Sequence, residues 1–115
     1  MASKVLVVDD EALLALDIEA ILEQAGYEVV GPAANVASAM KLIDGGSIDA
    51  AILDLNLAQE RSDDIADRLS ELSVPFFFLT GYSAEHLPPS HAHREMIRKP
   101  FRERQLLHKL GELLS

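Results

Sequence analysis

The stretch Ala50-Ala51-Ile52-Leu53-Asp54-Leu55-Asn56 decides the fold, because it carries a short apolar run directly into a carboxylate. An apolar run of this length between polar residues is typical of a strand that is buried on both faces, as in parallel sheets covered by helices. The side chain of Asp54 would then lie at the carboxyl edge of the sheet. From this stretch alone, a structural role of Asp54, in which it ends the strand or caps a turn, is as good an explanation as a functional role.

Four other segments are short and apolar enough to form strands of the same sheet. The first runs directly into Asp9-Asp10-Glu11, and the second ends at Pro32. The fourth ends in Thr80-Gly81, and the fifth ends at Lys99-Pro100. The five predicted strands cover residues 5–8, 28–31, 50–53, 76–79 and 95–98.

Apolar residues spaced by three and four predict amphipathic helices between the strands. Gly26 closes the first helix, and Asn35 is the expected N-cap of the second, which stops at Gly45-Gly46. The Ser62 hydroxyl is expected to cap the third helix. Pro88-Pro89 limits the segment that follows strand four to a short or irregular helix, which we expect to be mobile. The apolar stripes cover residues 14–25, 36–43, 65–72 and 106–114.

Strands that alternate with helices predict an α/β domain with a doubly wound, five-stranded parallel sheet, because each parallel connection requires a right-handed crossover. Such sheets bind ligands beyond the carboxyl ends of their strands, where the strand order reverses. In the order 2-1-3-4-5, that point lies between strands one and three. These strands end in Asp9-Asp10 and Asp54.

Composition narrows the functional classes. A chain of 115 residues has the length of one domain, which we expect to span residues 1–115. A net charge of -9 argues against nucleic acid as a direct partner, and the absence of cysteine excludes disulfides and cysteine catalysis. We find neither a secretory signal nor an apolar run of the ~20 residues that span a bilayer. These features predict a cytoplasmic protein without membrane contact.

Polar side chains at the strand ends should converge on one edge of the sheet. Asp9, Asp10 and Asp54 would crowd there and repel one another unless a cation lies between them. Mg²⁺ prefers oxygen ligands, accepts one or two carboxylates and can also hold a phosphate oxygen. Lys99 would then compensate phosphoryl charge from the other side, beside Thr80.

Asp9-Asp10, Asp54, Thr80 and Lys99-Pro100, in this order and spacing, resemble the receiver domain of bacterial two-component response regulators over the whole chain. The resemblance implies the flavodoxin-like order 2-1-3-4-5 and a phosphorylation switch. It also implies that Asp54 accepts a phosphoryl group from a phosphohistidine on a sensor histidine kinase or a histidine phosphotransfer protein. An effector protein, which the sequence does not name, would read the result.

The same resemblance assigns a role to each matching residue. Asp10 and Asp54 would bind Mg²⁺ directly, the backbone carbonyl of Asn56 would supply a third ligand, and Asp9 would act mainly through a bound water. Thr80 and Lys99 would each contact a phosphoryl oxygen. The family also implies a cis peptide bond between Lys99 and Pro100.

Two features depart from the common receiver pattern. Met96 stands three residues before Lys99, where many receivers carry the aromatic residue that couples to the threonine. Phe78-Leu79-Thr80-Gly81-Tyr82 instead resembles a subgroup of single-domain receivers with a Phe-Ala-Thr-Gly signature, whose fourth helix is poorly formed. Thr80, Tyr82 and Met96 are therefore the switch candidates, and we expect the signal to order residues 81–95.

The expected function is a stand-alone receiver that has no output domain and performs no enzymatic turnover beyond its own phosphorylation and dephosphorylation. A degenerate receiver that serves as a docking module is one alternative, although no acid, threonine or lysine of the motif is missing. A phosphatase that forms an aspartyl phosphate is another, but its nucleophile normally ends the first strand. Flavin binding is disfavoured because no Ser/Thr/Gly-rich phosphate loop follows strand one.

Overall fold

The computed structural model describes residues 2–54, 56–57, 60–80 and 96–114. These residues form one parallel sheet, a short antiparallel strand pair and four helices. In chain order the elements are β1 (Lys4–Val8), α1 (Ala12–Gln24), β2 (Glu28–Ala33), α2 (Val36–Gly45), β3 (Ala50–Leu53), β4 (Asn56–Leu57), β5 (Glu60–Arg61), α3 (Asp63–Glu71), β6 (Phe76–Thr80), β7 (Met96–Arg98) and α4 (Glu103–Leu114).

The five long strands form a sheet in the order β2-β1-β3-β6-β7, and every neighbouring pair is parallel. Counted along the chain without the β4–β5 pair, this order is 2-1-3-4-5, which confirms the predicted doubly wound topology. The strand order reverses between β1 and β3. The carboxyl ends of these two strands therefore border the expected binding crevice.

The core has two layers, one on each face of the sheet, and successive strand residues alternate between them. Ala51 and Leu53 of β3 pack in the layer formed with α2 and α3, whereas Ala50 and Ile52 pack in the layer formed with α1 and α4. All four side chains are at most 1% exposed. A strand buried on both faces has no polar position, which explains the continuous apolar runs in the sequence.

Two helix starts were predicted from capping residues, and the structure supports only one of them. The Asn35 side chain accepts a hydrogen bond of 2.8 Å from the Ser38 amide, as an N-cap should. Ser62 occupies the N-cap position of α3 but makes no capping hydrogen bond. Its side chain is fully buried, and its φ of -87° and ψ of 14° are not the extended backbone that capping requires. The predicted hydroxyl cap is therefore wrong.

The connections also differ from the sequence predictions. β2 does not end at Pro32 but continues to Ala33. A proline is tolerated here because β2 is an edge strand and its pairing with β1 shifts register at this point. After β3, the predicted polar loop contains the antiparallel β4–β5 pair. Strands of two residues carry no hydrophobic period, so the sequence pattern could not show them.

The expected short or irregular helix, its mobility and Tyr82 all lie outside the described residues. Among the helices that the structure describes, none combines the length and the apolar character that a membrane span requires.

Candidate functional site

Backbone pairing brings the two central carboxylates to the same edge of the sheet. The Asp54 amide donates a hydrogen bond of 2.8 Å to the Val8 carbonyl, and the Asp9 amide donates one of 2.9 Å to the Ala33 carbonyl. Both strands thus extend their pairing by one residue beyond the last apolar position. Asp9 is 3% exposed and Asp54 is 6% exposed, so both acids lie inside the crevice rather than on its rim.

Lys99 approaches these acids from the end of β7. Its Nζ lies 3.2 Å from Asp9 Oδ2 and 3.4 Å from Asp54 Oδ2. A third carboxylate, that of Glu11, is closest, with Oε1 at 2.7 Å from Nζ. The peptide bond between Lys99 and Pro100 is cis, which agrees with the expectation from the sequence. One ammonium group therefore faces three acids that come from two different parts of the chain.

Asp9 is held in an environment that disfavours its charge. Burial raises the pKa of the Asp9 carboxyl above its ordinary value, and the Glu11 amide and the Lys99 ammonium offset this only in part. The Glu11 amide donates to Asp9 Oδ1 at 2.9 Å. The other oxygen, Oδ2, is buried and accepts no well-aligned hydrogen bond from the part of the chain that the structure describes, although the Lys99 ammonium lies 3.2 Å away.

Lys99 responds to the same surroundings in the opposite sense. Burial alone lowers the pKa of its ammonium group, but the hydrogen bond to Glu11 and the charges of Asp54 and Asp9 outweigh it. The net result is a pKa raised above the ordinary lysine value. Lys99 is therefore a permanent positive charge at this edge of the sheet at neutral pH.

The acids fit a divalent cation. Oxygen atoms of Asp9, Glu11 and Asp54 lie within 4.8 Å of one another. Carboxylates are the ligands that Mg²⁺ prefers, and among the described residues no hydrogen-bond donor is well aligned with the buried Oδ2 of Asp9, which faces the Lys99 ammonium at 3.2 Å. A cation would supply the missing partner and lower the repulsion among the acids.

The structure places the other predicted ligands and phosphoryl contacts less directly. Asp10 is exposed and does not belong to the acid group found among the described residues. The strand β1 ends at Val8, and Asp10 lies in a bend of the backbone before α1. Direct coordination of the cation by Asp10 stays a prediction. The backbones of Asn56 and Thr80 lie at the start of β4 and the end of β6.

Glu11 is not among the site residues predicted from the sequence. In the sequence it is only the third acid of a run, yet it makes the shortest contact with Lys99 among the described residues. The sequence carries one signal for this role. Glu11 stands between the acid pair and the first helix, at the edge where strand ends converge, and its side chain is longer than that of either aspartate.

A family model of the response regulator receiver domain matches residues 5–111, which is most of the chain. The chain belongs to this family. As a receiver domain, it is a module of two-component signalling. Receiver domains generally bind Mg²⁺ in an acidic pocket, and they interact with kinases or phosphotransfer proteins and with effectors.

Curated proteins that resemble this receiver include the phyllosphere-induced regulator PhyR of Methylorubrum extorquens, with 34% identity over 88% of the chain. Another is the transcriptional regulatory protein PdtaR of Mycobacterium tuberculosis, with 31% identity over 73% of the chain. The matched regions make up 39% and 42% of these relatives, so the receiver spans about two-fifths of their length.

Among solved structures, the receiver is similar to SdrG from Sphingomonas melonis Fr1, whose solution structure gives a TM-score of 0.86 at 36% identity. That match covers 99% of this chain and 98% of SdrG. The structural likeness therefore extends over nearly the whole of both chains and includes the strand ends that carry the acids and Lys99.

Proposed function

We propose that this receiver is a phosphorylation-dependent switch whose phosphoryl acceptor is Asp54. The observation that carries the proposal is the position of Asp54 Oδ2. It is nearly buried at the reversal point of the sheet, 3.4 Å from the Lys99 ammonium and beside Asp9. An incoming phosphoryl group at this position would meet the positive charge of Lys99. A cation there would be held by the carboxylates of Asp54 and Asp9.

In the proposed reaction, a carboxylate oxygen of Asp54 attacks the phosphorus of a phosphohistidine on a kinase or a phosphotransfer protein. The new bond joins this oxygen to phosphorus, the phosphorus–nitrogen bond breaks, and the histidine leaves as imidazole. Lys99 stabilises the negative charge on the phosphoryl oxygens. Because the partner supplies the reactive bond, this chain contributes mainly positioning and electrostatic stabilisation.

Asp9 and Asp54 would hold Mg²⁺, with Glu11 near enough to contact it or its water shell. Asp10 and the backbone carbonyl of Asn56 are the further ligands that the family resemblance implies. The cation, when bound, would neutralise charge on the phosphoryl oxygens and reduce the repulsion between them and the acids. Apart from phosphorylation and dephosphorylation of Asp54, the proposed switch performs no enzymatic turnover.

The proposed readout of the switch lies in Thr80, Tyr82, Met96 and residues 81–95. Met96 is half-buried and packs against the core layer that contains Phe78, so it occupies a packing position beside β6. Hypothesis: phosphorylation orders residues 81–95. Amide exchange with and without beryllofluoride, a phosphoryl mimic, measures this ordering, and unchanged protection across the segment would reject it.

The test of the acceptor uses acetyl phosphate and Mg²⁺ with the unmutated protein and Asp54→Asn, followed by whole-protein mass spectrometry. We expect a phosphoryl mass on the unmutated protein and none on the variant. A protein that binds Mg²⁺ but never gains the mass would be a docking module instead. Turnover of a small phosphate ester would favour the phosphatase alternative.

A further inference from the structure

Glu11 joins the start of α1 to the end of β7. Its Oε1 lies 2.7 Å from Lys99 Nζ, whereas the oxygens of Asp9 and Asp54 lie 3.2 Å and 3.4 Å away. The two residues are 88 positions apart in the sequence. Among the described residues, the shortest ionic contact of the site is therefore made by Glu11, to which the reaction proposed for Asp54 assigns no contact with the phosphoryl group.

The side chain of Glu11 is available for this contact because it does not cap its own helix. Glu11 occupies the N-cap position of α1 in an extended conformation, with φ of -86° and ψ of 99°, and makes no side-chain capping bond. Its amide donates to Asp9 Oδ1, which anchors the backbone beside the crevice. The carboxylate extends from this anchor to Lys99.

A phosphoryl group on Asp54 would compete with Glu11 for the lysine. A lysine ammonium has three N–H donors, and in the structure three carboxylates surround it. The side chains of Asp9 and Asp54 are 2% and 8% exposed, but that of Glu11 is 61% exposed. Water can replace the lysine at Glu11 far more easily than at a buried acid, so Glu11 is the partner that Lys99 would leave.

We propose that Glu11 is a positioning residue that holds Lys99 in the unphosphorylated state and competes with the phosphoryl group for its ammonium. This inference rests on the proposed phosphorylation of Asp54. Glu11 lowers the affinity of the site for a phosphoryl group, and removing its charge raises that affinity. A partly exposed ion pair limits the effect to roughly twofold to fivefold.

The test compares Glu11→Gln with the unmutated protein in beryllofluoride titrations followed by NMR, with Mg²⁺ at saturation so that cation affinity does not enter. We expect roughly twofold to fivefold tighter binding by Glu11→Gln. The matched control is Asp17→Asn, which removes one negative charge from α1. Asp17, Glu11 and Lys99 line one surface groove beside this helix. The control should leave the affinity unchanged.

Replacement of Glu11 by the shorter acid aspartate distinguishes the effect of the contact with Lys99 from the general effect of a negative charge. Asp is a favoured N-cap residue, so Glu11→Asp should turn its carboxylate to the first amides of α1 and away from Lys99. The Glu11→Asp variant keeps the negative charge but loses the contact with Lys99. We therefore expect this variant to bind beryllofluoride as tightly as Glu11→Gln does. The proposal would be overturned if Glu11→Gln bound beryllofluoride more tightly than the unmutated protein while Glu11→Asp bound it with the same affinity as the unmutated protein. The loss of charge alone would then explain the change.

The ammonium itself supplies a readout that does not depend on phosphoryl binding. In metal-free protein, the ¹³Cε resonance of Lys99, assigned by its loss in Lys99→Arg, should shift in Glu11→Gln and stay in place in Asp17→Asn. If every protein binds beryllofluoride equally and this resonance does not move, Glu11 has no positioning role. If none of them binds beryllofluoride, the proposed function itself fails.

Discussion

The two edges of the sheet each place a lysine beside acids from neighbouring segments, yet they differ in character. At the amino edge, Lys4 Nζ lies 3.9 Å from Glu28, and both side chains are exposed, at 44% and 58%. At the carboxyl edge, Lys99 is 17% exposed and contacts two almost fully buried acids, Asp9 and Asp54, besides the exposed Glu11. Burial, rather than the number of charges, distinguishes the carboxyl edge, because water screens the exposed pair at the amino edge.

The largest expected difference between the edges is in phosphorylation. Lys99→Met removes the positive charge that faces Asp54 and should slow phosphorylation by acetyl phosphate by about 100-fold or more, the usual effect of removing one stabilising donor. Lys4→Met should leave the rate unchanged, because Lys4 lies at the opposite edge. Rates from time-resolved mass spectrometry measure both variants. Equal slowing in the two would refute the distinction between the edges.

Removing an acid should have opposite effects on stability at the two edges. Asp9→Asn relieves a buried charge while its side-chain oxygen still accepts from the Glu11 amide, so we expect the free energy of unfolding in metal-free buffer to rise by about 1 kcal/mol. The substitution Asp49→Ala removes the carboxylate that accepts a hydrogen bond of 2.7 Å from the Lys4 amide. It should lower the free energy of unfolding by about 0.5–1.5 kcal/mol. Urea denaturation measures both. Destabilisation by Asp9→Asn would show that the Asp9 charge is favourable in the fold.

The last expected effect is a pH dependence of stability that the buried carboxyl of Asp9 contributes at the carboxyl edge. Burial holds the pKa of Asp9 in the folded protein above its ordinary value of 3.8, so the folded state keeps a proton that the unfolded chain has released. Between 3.8 and the raised pKa, stability should therefore fall as pH rises, by at most about 1.4 kcal/mol per pH unit from this group. The difference in slope between the unmutated metal-free protein and Asp9→Asn isolates the effect. Parallel slopes would contradict it.

The sequence predicted the sheet well because the strands are buried on both faces and therefore contain unbroken apolar runs. The same runs located Asp9, Asp54 and Lys99 at their ends, and parallel strands bring such ends to one edge. The structure confirms the strand order and brings these three side chains together.

Other features depend on contacts that a sequence pattern does not carry. The contact of Glu11 with Lys99 depends on the N-cap backbone of α1 and on a partner 88 positions away. The backbone of Ser62 is not extended, and this prevents the capping bond that its residue type predicts. Asp10 is exposed in a bend that follows β1, and a run of three acids does not show which of them will be buried.

If Asp54 carries the phosphoryl group, the modification can be located chemically at this residue. The phosphorylated protein is treated with borohydride, which reduces an aspartyl phosphate to homoserine, and is then mapped by peptide mass spectrometry. We expect homoserine at position 54 and nowhere else. Reduction at position 9 or 10, or a phosphoryl group that resists borohydride on another residue type, would contradict it.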